Sequence, residues 1–297
     1  MTTPGARLRA AWSASPIMIP GAFNALVAKL VERIGFRAVY LSGGALSAGW
    51  AGLPDIGLLT QTEFAEQAAV LARATSLPVL CDADTGFGEA INVERTVRLY
   101  EEAGVAGLHL EDQILPKRCG HLSGKSLIDS QAMAAKIRAA VSARGDPDLV
   151  IVARTDARSV EGFDAAVRRA HEYLAVGADM IFPEALESVD EFARFAQAVD
   201  APLLANMTEF GRSPLIPFDD LGKLGYKAVI YPLTAFRAAM HAAELVLKTL
   251  YDRGTQQDLL GQMQSRADLY DLLGYRDWET RDRAYFTPGA GSSDQPR

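Results

Sequence analysis

Eight short apolar segments recur along this chain, at 17–20, 38–41, 78–82, 106–110, 149–153, 179–182, 202–205 and 228–231. Polar or glycine residues follow each one, and then a stretch with helical periodicity: 23–34, 61–74, 91–103, 130–143, 162–176, 188–198, 217–224 and 233–251. The segments are mostly uninterrupted apolar runs rather than alternating ones, as strands buried on both faces are. Eight strand-then-helix units predict an α/β protein closed as a parallel (β/α)8 barrel of the TIM type. An open doubly wound sheet would more naturally carry a GxGxxG after its first strand, and none stands at 21–26. Gly35, Gly104, Gly177 and Gly225 each close a helical stretch, where a left-handed residue ends a helix. A further helical pattern at 255–273 lies beyond the eighth unit. The tail from Pro288 is rich in Gly, Ser and Pro, a composition that predicts disorder. The 297 residues are expected to form one domain, since a barrel of this kind takes about 250 residues. Its parts are a barrel over about 16–251, a helical extension over 252–287 and a disordered tail over 288–297.

The formal charge is −7, and no basic run of five or more residues occurs. That argues against nucleic acid and anionic membranes as partners. It does not argue against an anionic substrate, because a cleft can carry a local sign opposite to the whole. Two cysteines, Cys81 and Cys119, are too few for a disulfide framework and read as reduced thiols of a cytoplasmic protein. The N-terminal segment MTTPGARLRAAWSASP has arginines but no apolar stretch behind them, so no secretory signal is expected. No apolar run approaches the ~20 residues of a membrane span.

In such a barrel the active site forms at the C-terminal ends of the strands. The polar residues after each apolar run are therefore the candidates: Ser42, Gly43 and Gly44; Asp82 and Asp84; Glu111 and Asp112; Arg154 and Asp156; Glu184; Asn206 and Thr208; and Arg237. Charges adjoining buried runs are costly unless paired or coordinated. Acids after two consecutive strands, with Arg154 after the next, suggest a metal site beside an anion site. Asp82 and Asp84 point the same way if 82–84 stays extended. Oxygen ligands from neighbouring strands suit Mg2+, which keeps several waters. The plainer reading has Asp82 capping its loop and Glu111 or Asp112 pairing with Lys117.

Segment 116–125, PKRCGHLSGK, gathers Lys117, Arg118, Cys119 and His121 around Gly120. Neighbouring cations lower a thiol's pKa, and such a thiol can act as nucleophile or as proton donor and acceptor. Flanking glycines suit a loop that closes over substrate. Cys81, inside an apolar run, reads as core, and His109 as a satisfied barrel residue. Glycines in the Ser42-Gly43-Gly44 turn let backbone N–H groups approach a carboxylate.

The motifs YLSGG at 40–44, DADTGFG at 82–88, GLHLEDQ at 107–113 and PKRCGH at 116–121 lie in one order with ARTDA at 153–157, FPEA at 182–185, NMTEFG at 206–211 and YPLTAFR at 231–237. From about residue 16 to 280 this resembles the isocitrate lyase/phosphoenolpyruvate mutase superfamily. The resemblance implies a Mg2+ shell of Asp82, Asp84 and Glu111, with Asp55 near the metal and Mn2+ as a substitute. It implies a catalytic loop of Cys119, Gly120 and His121, and a carboxylate-holding segment of Ser42, Gly43 and Gly44. Arg154, Glu184, Asn206, Thr208, Arg237 and Arg266 match substrate-contacting positions. It also implies a homotetramer in which a C-terminal helical segment, 255–273 here, is exchanged between subunits.

The implied activity is cleavage of a carbon–carbon bond in a small tricarboxylate, 2-methylisocitrate, to pyruvate and succinate. Tyr40 is the candidate base for the substrate hydroxyl. Arg154 and His121 would offset the charge of the carbanion fragment, and Cys119 would protonate it. True isocitrate lyases are substantially longer. A phosphonomutase would be expected to carry a Lys and an Asn-Ser pair in the loop, where this chain has Arg118-Cys119-Gly120-His121. Other short lyases, oxaloacetate hydrolases or decarboxylases, and an inactive barrel serving as a binding subunit are the alternatives.

Overall fold

A computed structural model, describing residues 2–286, contains all eight strands. They are β1 (Ile17–Pro20), β2 (Val39–Leu41), β3 (Val79–Asp82), β4 (Gly107–Glu111), β5 (Val150–Thr155), β6 (Met180–Pro183), β7 (Leu204–Asn206) and β8 (Ala228–Tyr231). All pair in parallel, in the orders β2-β3-β4-β5-β6 and β1-β8-β7. Parallel bridges from Gly21 to Tyr40 and from Ile181 to Leu203 join the two sheets at both seams and close the barrel.

The helices in order are α1 (Pro4–Ala14), α2 (Ala25–Ile34), α3 (Gly43–Ala51), α4 (Gln61–Ala74), α5 (Ala90–Glu102), α6 (Ser130–Ala143), α7 (Phe163–Ala175), α8 (Val189–Ala198), α9 (Phe218–Leu224) and α10 (Thr234–Arg253). The four expected helix-ending glycines all have positive φ, from 86° at Gly104 to 106° at Gly225. The sequence reading did not foresee α1 or α3. The Ser42-Gly43-Gly44 turn expected from sequence is the start of a helix capped by Ser42, whose Oγ accepts from the Ala45 backbone N–H at 3.3 Å. Five small residues in its first six positions gave it no amphipathic signature.

Period two along each strand divides the core. Val39, Leu41, Val79, Cys81, Leu108, Leu110, Ile151 and Ala153 pack outward against the helices. Tyr40, Leu80, Val150, Val152, Met180, Phe182, Leu204 and Ile230 fill the barrel. Leu8 and Trp12 of α1 belong to this inner cluster, so α1 stoppers one end of the barrel. Arg9 of the same helix fixes it there, donating to Asp148 O at 2.8 Å and pairing with Asp179 at 2.8 Å.

The chain divides into two compact units between Met240 and His241, inside α10. The barrel falls in the first. In the second, the single helical pattern expected at 255–273 is broken: a 3-10 turn at Gln257–Gln262 precedes α11 (Arg266–Leu272), which Ser265 caps. After Gly274, α12 (Tyr275–Phe286) follows, and Tyr270 stacks on Tyr275 with ring centroids 4.7 Å apart. The tail at 288–297 lies outside the described residues. Among those described, no helix is long and apolar enough to cross a membrane.

Candidate active site

On β3 to β7 the inward parity carries one polar or charged residue at or just past the strand end. Leu80 leads to Asp82, His109 to Glu111, Val152 to Arg154, Phe182 to Glu184 and Leu204 to Asn206. All of these are buried, at strand ends where water would otherwise solvate them. Their side chains pair with each other. Arg154 lies 3.0 Å from Glu111, 3.0 Å from Asp156 and 3.5 Å from Glu184. Asn206 Nδ2 donates to Glu184 Oε2 at 3.2 Å. Asp82 accepts from the Gly43 backbone N–H at 3.0 Å and from the Asp84 backbone N–H at 2.9 Å.

Two sequence expectations need correction. Asp84 does not reach the site by the strand pleat, because β3 ends at Asp82 and Asp84 has φ 45°. The turn that Asp82 caps aims it instead. Asp112 has the opposite parity to Glu111 and turns away from the site. It accepts from Thr155 Oγ1 at 2.8 Å and Tyr173 OH at 2.8 Å, and pairs with Arg169 at 3.3 Å.

Segment 116–125 folds over this floor. Gln113 ties its base, exchanging hydrogen bonds with the Arg118 backbone at 2.8 and 2.9 Å. Lys117 turns inward, buried, to pair with Asp84 at 2.8 Å and with Asp55. Lys125 is also buried, donating to Asp156 Oδ1 at 2.7 Å and to the Gly120 carbonyl. Between them, Gly120 sits so close to the floor that a Cβ would lie 2.4 Å from Glu184 Cγ and 2.5 Å from Arg154 Nη2. His121 Nε2 lies 3.2 Å from Glu184 Oε1.

A cavity between lid and floor is walled by Tyr40, Ser42, Gly44, Asp55, Asp82, Lys117, Arg118, Cys119, Gly120, His121, Arg154, Glu184, Asn206 and Thr208, with Phe182, Ile230, Pro232 and Leu233 as its apolar side. Asp84 and Glu111 stand one layer behind, covered by Lys117 and Arg154. Arg237, on the first turn of α10, pairs with Glu209 at 3.5 Å and lies over the Phe210 ring, and it is not part of the wall. Arg266 opens α11 in the second unit and is exposed.

A family model described as phosphoenolpyruvate phosphomutase matches residues 8–251. The chain belongs to this family. Its relatives include a 2-methylisocitrate lyase of Aeropyrum pernix, 54% identical over 90% of this chain and 85% of that protein. Another, from Escherichia coli, is 46% identical over 94% of this chain and 95% of that protein. Among solved structures, a 2,3-dimethylmalate lyase superposes with a TM-score of 0.90 at 33% identity, covering 99% of this chain and 100% of that one. A phosphonopyruvate hydrolase in complex with oxalate and Mg2+ gives 0.87 at 32%, covering 96% and 100%.

The family member described here has more acid than base in its site. Asp55, Asp82, Asp84, Glu111, Asp156 and Glu184 share the site with four cations, Lys117, Arg118, Lys125 and Arg154. The carboxyls divide: against burial, nearby cationic groups hold Asp82 and Glu184 below the usual carboxylate range. Burial pushes Asp84 up to about 6 against the pull of Lys117, and burial holds Glu111 well above the usual carboxylate range. Beyond its ion pair with Arg154, neither carboxylate oxygen of Glu111 accepts a hydrogen bond. Among the described residues, no three acidic, histidine or cysteine side chains close on one point as direct ligands. Mg2+ takes one or two carboxylates and keeps several waters, so an acidic surplus without a closed set of direct ligands fits it.

The electrostatics also revise two assignments. Burial raises the Cys119 thiol above its ordinary value, and Glu184 and Asp55 add to the rise. Lys117 and Arg118, expected to lower it, are spent on Asp55, Asp84 and the Ser123 carbonyl. Cys119 is therefore a protonated thiol. Burial also raises the Tyr40 phenol well above its usual value, helped by Asp82. Its hydroxyl lies 2.7 Å from His109 Nε2, and burial pushes His109 down to about 4. Tyr40 thus keeps its proton, which weakens its case as the base. Lys125, Gln113 and His109 were not singled out as site residues. Only the short distance in sequence of Lys125 and Gln113 from Cys119 could have signalled two of them.

Proposed function

We propose that this chain is a Mg2+-dependent 2-methylisocitrate lyase that yields pyruvate and succinate. The observation that carries the reading is Cys119 set in the cavity wall on the same lid whose Gly120 and His121 close on Arg154 and Glu184. Identity of 46–54% to proteins named 2-methylisocitrate lyase supports the substrate. Asp82, Asp84, Glu111 and Asp55 would hold the metal. Bound there, it would acidify the substrate hydroxyl and stabilise the developing carbonyl.

The chain's own groups do the rest. The Ser42–Gly44 segment, at the start of α3, receives the carboxylate end that becomes pyruvate, where a helix N-terminus favours an anion. Arg154 and the Nε2–H of His121 face the carboxylate of the leaving fragment and offset its charge. Cys119 gives that fragment its proton, a task suited to a thiol rather than a thiolate. Phe182, Ile230, Pro232 and Leu233 exclude water from the cavity while the carbanion exists. Tyr40, which keeps its proton, holds a substrate oxygen by hydrogen bonding. Arg237 and Arg266, which the resemblance matches to substrate-contacting positions, lie outside the cavity wall and are given no step. The protein works in the cytoplasm as a homotetramer, with a C-terminal helical segment exchanged between subunits.

The deciding experiment is a side-by-side assay of pyruvate and glyoxylate release from 2-methylisocitrate and isocitrate. A higher kcat/KM for 2-methylisocitrate is expected, although one methyl group is worth only ~1–3 kcal/mol. The reverse preference, or no turnover of either, would reject the reading.

A further inference from the structure

The Cys119–Gly120–His121 lid is tied from outside as well as from within. The backbone N–H of Arg212 donates to His121 Nδ1 at 3.0 Å, and the Arg212 side-chain Nε donates to the His121 carbonyl at 3.2 Å. A donor on Nδ1 leaves the ring hydrogen on Nε2, the atom 3.2 Å from Glu184 Oε1. Gly211 makes the approach possible, because a Cβ there would lie 2.6 Å from His121 Nδ1. Arg212 is itself held: its Nη1 lies 3.4 Å from Glu187 Oε1, and the other oxygen of Glu187 lies 3.0 Å from Arg158. Two barrel connections, after β6 and after β7, thus converge on one lid residue. Arg212 is not part of the cavity wall, so it has no path to the reacting atoms.

We propose that the Arg212 side chain is a positioning group that latches the lid over the cavity, while the Arg212 backbone N–H, which a side-chain substitution keeps, holds the His121 tautomer. The kinetic part of its test rests on the lyase reading; the chemical part does not. Arg212→Ala keeps the inner tie from Lys125 to Gly120, so the lid loosens without coming free. The guanidinium is partly exposed, and its loss leaves no buried group unpaired.

In the full-length, Mg2+-loaded protein, iodoacetamide alkylation of Cys119 is followed by peptide mass spectrometry, with buried Cys81 as the unreactive internal control. Arg212→Ala is expected to alkylate on the order of five- to tenfold faster, the net worth of one ordinary solvent-accessible hydrogen bond. Its kcat/KM should fall by a similar factor at an unchanged unfolding midpoint, and Arg212→Lys should recover part of both. Alkylation and kcat/KM within about twofold of wild type would overturn the latch. So would faster alkylation that merely tracks a lowered midpoint and that Arg212→Lys does not relieve. If the wild type turns over no substrate, the lyase reading fails, and the alkylation ratio still decides the latch.

Discussion

Arg154 Nη1 lies 3.0 Å from Glu111 Oε2, across the register pair that joins β5 to β4. The same guanidinium also serves Asp156 and Glu184, so one buried cation neutralises carboxylates from three elements. Arg154→Ala would leave all three buried and undercompensated. We expect a loss of about 3–5 kcal/mol in stability, the range for breaking a buried pair. Turnover should fall by about 10²–10³, as for removal of a charge-stabilising donor. Urea unfolding and the pyruvate assay measure the two separately, and an unchanged midpoint would refute the stability part.

Cys119→Ser should cost turnover about 10²–10⁴-fold, the usual contribution of a positioned acid or base. The hydroxyl is a far weaker acid than the thiol but fits the same space, so the unfolding midpoint should hold. A rate near wild type would remove Cys119 from the proton delivery.

Chelation by EDTA should abolish cleavage, with Mg2+ or Mn2+ restoring it. Mg2+ should also raise the thermal midpoint, because a ligand of the folded state alone stabilises it by mass action. Full turnover in excess chelator would contradict the assignment of Asp82, Asp84 and Glu111.

Acid should destabilise the fold first through His109. Its folded pKa, pushed down to about 4 by burial, lies below the ~6.5 of the unfolded chain. The unfolded state therefore binds the extra proton, and stability is present in full above ~6.5 and lost as pH falls toward 4, by up to about 3 kcal/mol. Asp84 acts oppositely: pushed up to about 6 from ~3.9, it loses stability as pH rises through that window. Comparing wild type with His109→Asn in urea at several pH values separates them. The variant should lack the acid-side loss, and an identical slope in both proteins would exclude His109 as its source.

The strands and most helices of the barrel were legible because burial on both faces writes uninterrupted apolar runs. The residue types of the floor were legible too, since charges beside such runs demand partners. Legibility ended where local order stopped predicting direction. Glu111 and Asp112 are neighbours in sequence and face opposite sides of a strand. Lys117 and Arg118 flank Cys119 in the chain, yet spend their charge elsewhere, so burial decides the thiol. In α1 and α3, the helical signal is weak because packing and caps, rather than an apolar stripe, hold them.

Leu8 and Trp12 seal the barrel at the end remote from the lid. Substrate, both products and any water that meets the reacting carbon must then share a single doorway. The segment bearing Cys119 stands in that doorway, so the group proposed to finish the reaction is also the one that must step aside to let its products go.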